Sequence, residues 1–449
     1  MVRNFSNLRS TLLGAMLLAA AGAAGAQTVS QIPLSVAGGV PGNLILTPSV
    51  EWPTINSVAN IATTYVVANT YVGYFDPNKC YNYSFNATET LRHFYPVSVV
   101  GAGHSCNAAL KQWSGNFLNW AATQTIDPFR KALTGGYRTT DTAAVTILEK
   151  ARSDGNAGAG IFPDRNLAST AIMAASVPAP LGTWTAFNTR LRTFGNRMRF
   201  TSTGTLANAP TAYDPAAHTL TNGGGSNSTV YEVSLRVKVC DPAVGVEPNC
   251  VAYGSNWKPE GLIQQYSSKI RYSVFGYLND GAAARDGAAL RARQKFVGPQ
   301  RLNPASNLLE ANPNAEWSSV DGTFVINPDS ADASATTTAV GATDPIVNSG
   351  VINYLNKFGQ MTTANHKSFD PVSEMYYAAI RYVRNLGNIP EYQSHWHPVS
   401  TIYTRRRLSS HYQLDGSGPV LLSEQCDPGY WRRQYLERPE PAWRIDQGQ

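Results

Sequence analysis

Charge is scarce in this sequence. Lys and Arg total 36, Asp and Glu 30, and together they fill 15% of 449 positions. The formal net charge of +6, less the two arginines Arg3 and Arg9 near the start, leaves +4 for the body, where no Lys/Arg cluster tracks a helix. Nucleic acid is thereby excluded as a partner. Cysteine is rarer still, with five in the whole chain, and the length is ample for a buried core of about two or three domains, so a small disulfide scaffold is excluded. With 43% of residues apolar, intrinsic disorder is excluded too. Beyond residue 26 there is no apolar run of the ~20 residues that a membrane-spanning helix needs.

Catalytic signatures are also lacking. The chain has no G-x-S-x-G elbow, no H-E-x-x-H, no P-loop and no G-x-G-x-x-G. Gly223-Gly224-Gly225-Ser226 precedes a strand and not a helix, so it reads as a loop and not a phosphate cradle. His395 and His397 stand alone without a third metal ligand nearby. Asp329 and Asp332 fall in a polar stretch, where solvation is the simple expectation and Ca²⁺ the alternative. Nothing here argues for an enzyme.

What is present begins with an address. Residues 1–26 carry two arginines, an apolar stretch from Thr11 to Ala24, and Ala24-Gly25-Ala26 before Gln27, the three-part pattern of a secretory signal peptide. Export places the cysteines in an oxidising compartment, where Cys80 with Cys106 and Cys240 with Cys250 make local bridges; four cysteines can pair in three ways, so the connectivity stays open.

The body alternates helix and strand signals. Asn43-Leu44-Ile45-Leu46 suits a short buried strand, and Gln112 to Ala122 a helix. Asp127-Pro128 reads as a helix start, with Gly135-Gly136 as its stop. Val230 to Val239 alternates, Tyr231, Val233, Leu235, Val237 and Val239 against Glu232, Ser234, Arg236 and Lys238, as a half-buried antiparallel strand would. Ile270 to Leu278 is a more central strand. Residues 322–348 read as a long surface loop. Past Asp370-Pro371, a helix places Val372, Tyr376, Ala379, Val383 and Leu386 on one face and stops at Gly387. The result is a mixed α/β body with β-rich insertions. The 22 Tyr and 9 Trp either fill its core or present contact surfaces.

Four strings occur in order: Tyr71 to Tyr83 (YVGYFDPNKCYNY), Ser114 to Ala121 (SGNFLNWA), Ile126 to Gly136 (IDPFRKALTGG) and Asn385 to Tyr392 (NLGNIPEY). Together they resemble the PilC/PilY family of type IV pilus biogenesis proteins, exported factors of the pilus tip and cell surface. The resemblance implies an N-terminal half similar to a von Willebrand A domain, interrupted by insertions and spanning residues 27–392 here, and a C-terminal β-propeller with calcium sites. It also implies pilins and minor pilins as partners, a host or abiotic surface as target, a location in the periplasm, outer surface or pilus tip, and a part in pilus extension, twitching motility and adhesion. In a von Willebrand A domain the first strand ends in D-x-S-x-S, which ligates Mg²⁺. The matching positions here are Thr47, Ser49 and Glu51, so the leading Asp is missing. The metal site is degenerate, and neither Mg²⁺ nor Ca²⁺ is expected as a cofactor.

After Tyr392 the character changes. Arg405-Arg406-Arg407 appears, no Lys follows Lys367, and three of nine Trp crowd the last 54 residues. With permitted codons for Arg406 to Gln449, a one-base forward shift reads DGFPVITNW, YSC, ILGIGD and NTWNDRNLPG, which resemble the family's link to its propeller. Residues 393–449 are therefore expected to be an out-of-frame, unstructured tail, with the propeller absent and Cys426 an accident of frame. The leading expectation is a non-enzymatic pilus assembly protein. The alternative is a secreted carbohydrate-binding or carbohydrate-degrading protein whose aromatic insertions stack on sugars.

Overall fold

A computed structural model describes residues 41–387, apart from 179–183, 219–227, 278–287, 304, 307, 341–345, 361–364 and 368–369. The leader at 1–26, the glycine run at 223–225 with Ser226, Leu278, residues 388–392 of the fourth string, the two histidines at 395 and 397, and the tail with Cys426 lie outside the described residues. From Asn43 onward the described chain forms one compact unit.

The largest sheet is built from aromatic strands. It has six strands, β2 (Lys79–Ser84), β3 (His93–Val99), β4 (Trp113–Ser114), β5 (Arg138–Asp141), β6 (Thr146–Glu149) and β12 (Arg236–Val239), in the order β4-β2-β3-β12-β6-β5. Tyr83 and Phe94 are direct partners across β2 and β3, with ring centroids 4.8 Å apart. A second sheet orders β10 (Thr211–Ala212), β11 (Tyr231–Ser234), β9 (Arg197–Thr201), β8 (Phe187–Arg190) and β7 (Arg165–Leu167). Phe200 of β9 stacks on Phe187 at 5.0 Å and on Tyr231 at 5.5 Å. Trp113 joins the two sheets, meeting Phe94 of the first and Phe187 and Phe200 of the second edge-on, the arrangement that ring quadrupoles favour. Most of the described tyrosines and tryptophans of this region, Tyr65, Tyr71, Tyr81, Tyr213, Trp120 and Trp184 among them, are buried in one continuous core.

Val230 to Val239 is not the single half-buried strand expected. It breaks at Leu235, so that β11 belongs to the second sheet and β12 to the first. Leu235 N donates to the Asn196 carbonyl, and its own carbonyl accepts from Lys150 N. The polar side is buried as well: Glu232 pairs with Arg197 and Arg199, Ser234 donates to Glu89, and Arg236 pairs with Glu149 and Glu89. An alternating pattern marks two unlike faces, and ion pairs can cover the polar one as well as water can. Both pieces also have one parallel neighbour, β10 for β11 and β3 for β12.

The third sheet orders β1 (Gly42–Leu46), β15 (Ile270–Tyr277) and β16 (Ala288–Lys295). β15 is central, as its apolar sequence suggested. Its two faces take different helices. Tyr272 and Val274 pack, with Leu46 and Ala292, against Val351, Ile352 and Leu355 of helix α7 (Val351–Lys357). Phe275 and Tyr277 pack, with Ile45 and Leu290, against Met375, Ala379 and Tyr382 of helix α8 (Val372–Val383). β1 is an edge strand with Asn43 and Leu44 exposed, not the buried strand expected. Two short hairpins, β13 (Cys250–Tyr253) with β14 (Asn256–Pro259) and β17 (Gln300–Leu302) with β18 (Leu309–Ala311), complete the strands described.

The helices correct several sequence expectations. Helix α1 (Trp52–Asn56) follows β1. Helix α2 is Gly115–Ala122, because Ser114 caps it and Trp113 is held in β4, so it starts three residues after Gln112. Helix α3 (Ile126–Thr134) has Thr125 as its N-cap, placing Asp127 inside the first turn; Gly135 at φ 82° ends it as expected. Helices α4 (Thr170–Ser176) and α5 (Leu262–Gln265) are short. The expected loop at 322–348 contains helix α6 (Ser330–Val340). There Asp332 is buried and pairs with Arg293 and Lys295, while Asp329 pairs with Lys295. Helix α8 buries Met375, Ala379 and Tyr382, while Val372, Tyr376 and Leu386 of the expected face are exposed. Its sequence is apolar on both sides, so periodicity alone cannot choose between them.

Candidate functional site

The positions matching the metal motif lie where β1 ends. Ser49 Oγ sits 2.9 Å from Glu51 Oε2 and 2.9 Å from Asp370 Oδ1. Thr54 donates to the other Glu51 oxygen, and the Tyr277 hydroxyl donates to Asp370. Trp52 N donates to the Lys367 carbonyl at 2.7 Å, which ties the turn after β1 to the segment before α8. The structure thus gathers Ser49 and Glu51, adds Asp370, Tyr277 and Thr54, and leaves Thr47 out of these hydrogen bonds. Sequence reading missed the added three, because Asp370 is 321 positions from Ser49 and looked only like a helix opener.

Oxygen donors alone suit a hard cation in principle. The geometry here is closed instead. The hydroxyls of Ser49, Thr54 and Tyr277 bond the two carboxylates, so these side chains already satisfy one another. Tyr277 is held neutral, its pKa pushed far up by burial and by the bond to Asp370. With Thr47 in place of the motif's leading Asp, the donor set lacks the carboxylate that a bound Mg²⁺ would take at that position.

A second cluster, Cys240, Glu247 and Cys250, has ligand atoms within 4.8 Å of one another. Its sulfurs are already spent in the Cys240–Cys250 disulfide, and Cys80 bonds Cys106. Glu247 accepts from Cys240 N at 2.7 Å and from Lys79 Nζ at 2.9 Å, so its carboxylate orders the bridge and neutralises a buried lysine.

The strings that carry the family resemblance turn out to hold the backbone. In Ser114 to Ala121, Asn116 accepts from Tyr71 N and donates to the Asn69 carbonyl. Asn119 donates to the carbonyls of Tyr71 and Phe75 and accepts from Phe75 N. Trp120 Nε1 donates to the Ala62 carbonyl. These are partners for the irregular backbone of residues 62–76, which is buried at Tyr65, at Tyr71 and from Gly73 to Phe75. The glycines allow the approach: a Cβ on Gly73 would fall 2.1 Å from Asn119 Oδ1, and one on Gly115 2.2 Å from the Asp76 carbonyl.

In Ile126 to Gly136, Asp127 accepts from Ala151 N and from Arg130, both at 2.8 Å, and Arg130 reaches the Asn356 carbonyl of α7. Beside them Lys150 is fully buried, donating to the carbonyls of Ala151 and Gly195, and burial pushes its ammonium down to about 7. Its nitrogen is turned to backbone oxygens, and the cavity that it borders with Asp127 and Tyr74 holds only about 10 Å³. Glu316 is buried under the start of α7, accepts from Val351 N at 2.8 Å and Ile352 N at 2.7 Å, and is pushed up to about 7 by desolvation. Perturbed groups mark active sites only when they converge on an open pocket. These two serve as internal joints.

Among the described residues, no helix is long and apolar enough to cross a membrane. A family model described as "PilY1 homolog, small alpha/beta domain" matches residues 62–173, the stretch holding the clamped loop, α2, α3 and the first residues of α4. A protein of Xylella fastidiosa strain Temecula1 named type IV pilus biogenesis factor PilY1 homolog is 54% identical over 373 residues, covering 81% of this chain and 30% of its own length. Another protein of that name and organism is 30% identical over 229 residues, covering 46% of this chain and 15% of its own length. The chain therefore spans less than a third of either relative. No solved structure matches it.

Proposed function

Because the chain carries a PilY1-family region across 81% of its length, we propose that it is an exported, non-enzymatic type IV pilus assembly protein of the periplasm, outer surface or pilus tip. Its partners in this reading are pilins and minor pilins, and its output is pilus extension, twitching motility and attachment to host or abiotic surfaces. The observation that carries it is the use of the family strings: Asn116, Asn119, Trp120 and Arg130 hold backbone, and Asp127, which also holds Ala151 N, borders only a cavity of about 10 Å³. A chain whose most recognisable residues are scaffold works by presenting surfaces. The sugar-stacking alternative loses its support, since the aromatic insertions spend their rings in the core.

A von Willebrand A-like arrangement belongs to the same proposal, supported by helices α7 and α8 on opposite faces of the β1-β15-β16 sheet. At its metal position Ser49 and Glu51, with Asp370, serve as a hydrogen-bonded clamp between β1 and α8, Thr47 takes no part in it, and no cation is expected there. The reading of residues 393–449 as out of frame is part of it too, and the coding DNA tests that part: an in-frame gene with no displaced reading frame downstream would refute it.

The function is tested by deleting the gene and complementing with this chain or with a frame-restored version, scoring surface pili and twitching zones, alongside a pulldown with pilins and a glycan array. Loss of pili on deletion and capture of pilins support the reading. Glycan binding without pilin capture overturns it.

A further inference from the structure

Residues 60–72 make a closed surface loop whose backbone is held from within. Its two ends meet through Asn60, whose amide nitrogen donates to the Val72 carbonyl at 2.9 Å and whose amide oxygen accepts from Val72 N at 3.2 Å. Tyr65 and Tyr71 fill its inside with their rings 5.5 Å apart, and the Tyr71 hydroxyl accepts from Val66 N. Trp120 and Arg165 both donate to the Ala62 carbonyl, and Asn116 donates to that of Asn69. The exposed turn Gly101-Ala102-Gly103 lies beside it, tied on by His104 Nδ1, which donates to the Val67 carbonyl at 2.7 Å. A compact loop with joined ends, packed on its own side chains, is an Ω-loop, a form often used for recognition. Its outer side is apolar: Ile61 is 84% exposed, and Val66 and Val72 are exposed with it. No Asp, Glu, Lys, Arg or His occurs from Ser57 to Phe75. Single exposed aliphatic residues need no explanation. Three on one loop fixed by this many hydrogen bonds are different, because a rigid loop binds without the cost of being ordered first.

We propose that this loop is the docking site for a pilin subunit, which meets it with uncharged aliphatic side chains. This rests on the pilus reading given above and adds where on the chain the partner sits. The absence of charge selects the partner's chemistry: a charged face brought against the loop would lose its water and gain no counter-charge. Nearly the whole loop lies within residues 62–173, so the surface belongs to the stretch on which the family match rests. A lipid surface fits less well. Loops that grip a membrane interface do so with Trp, Tyr and Lys or Arg, whereas Tyr65, Tyr71 and Trp120 are buried here and the loop has no cation.

The full 449-residue chain, purified after export, is passed over immobilised, detergent-solubilised pilins of the same organism, the major pilin and each minor pilin separately. The parent should bind at least one of them, with an affinity that salt leaves unchanged, because no charge pair crosses the interface. Ile61→Asp and Val66→Asp should each weaken binding about tenfold or more, as the loss of a central contact does. Val320→Asp, at a similarly exposed aliphatic position on another loop, should bind like the parent. Melting temperatures check that the variants fold, and slower amide exchange across residues 61–72 on adding the pilin reads the contact with no substitution at all. Pilin capture that both loop variants retain, with exchange unchanged, would overturn the loop as the site and leave the pilus reading standing. A parent chain that binds no pilin would overturn both. Without pilin capture, Ile61→Asp-sensitive binding to phosphatidylcholine vesicles would give the loop to a membrane, and Ile61→Asp-sensitive self-association in the ultracentrifuge would give it to a second copy; either result overturns the proposal.

Discussion

Replacing Asn119 with Ala removes three hydrogen bonds to backbone that water does not reach. Each orphaned buried group costs on the order of 1–3 kcal/mol, so Asn119→Ala should lose at least about 3 kcal/mol, read from urea midpoints. A loss under 1 kcal/mol would mean the loop finds other partners. Glu316 gives a pH signature. Its folded carboxyl keeps a proton up to about 7 that the unfolded chain releases near 4.5, so its contribution is full below 4.5 and is lost as pH rises through that window. Stability should therefore fall less between pH 4.5 and 7 in Glu316→Gln than in the parent, and parallel profiles would exonerate the carboxyl. At this scale the sequence announced residue types but not partners. Asp127 looked like a cap and is a clamp; Asp332 looked solvated and is buried against Lys295. Ala151 lies 24 positions from Asp127 and Lys295 37 positions from Asp332, separations that no local pattern encodes.

The elements were legible where an apolar run marks a strand covered on both faces, as in β15, and where a glycine must end a helix, as at Gly135. They were illegible where a helix is apolar on both sides or where polar residues of a strand are covered by ion pairs, as in α8 and β11–β12. Helix α8 offers the direct comparison. Met375→Ala should cost roughly 2–4 kcal/mol, since it empties space against Phe275 and Leu290. Tyr376→Ala, on the face expected from periodicity, should stay within about 0.5 kcal/mol, since that ring is exposed. Thermal melts that reversed this order would restore the expected face. The clamp at the end of β1 was half legible, with Ser49 and Glu51 read from a motif and Asp370 supplied by the fold.

Across the whole molecule, two disulfides close loops with separations of 26 and 10 residues. Chain-entropy arguments give each about 3 to 4 kcal/mol, the longer loop slightly more. Reduction should thus lower the melting temperature clearly, and Cys80→Ser with Cys106→Ser should cost more than Cys240→Ser with Cys250→Ser; the reverse order would point to the Lys79–Glu247 pair beside the shorter loop as the larger loss. The break at Leu235 has a further consequence. One uninterrupted backbone runs from the middle of one sheet into the middle of the other, with no slack loop between. Anything that pulls the two sheets apart along that line loads the hydrogen bonds of β11 and β12 together in shear, so they share the force instead of unzipping one at a time. The crossing is a tie rod, and the molecule gains mechanical resistance from a single residue that changes sheets.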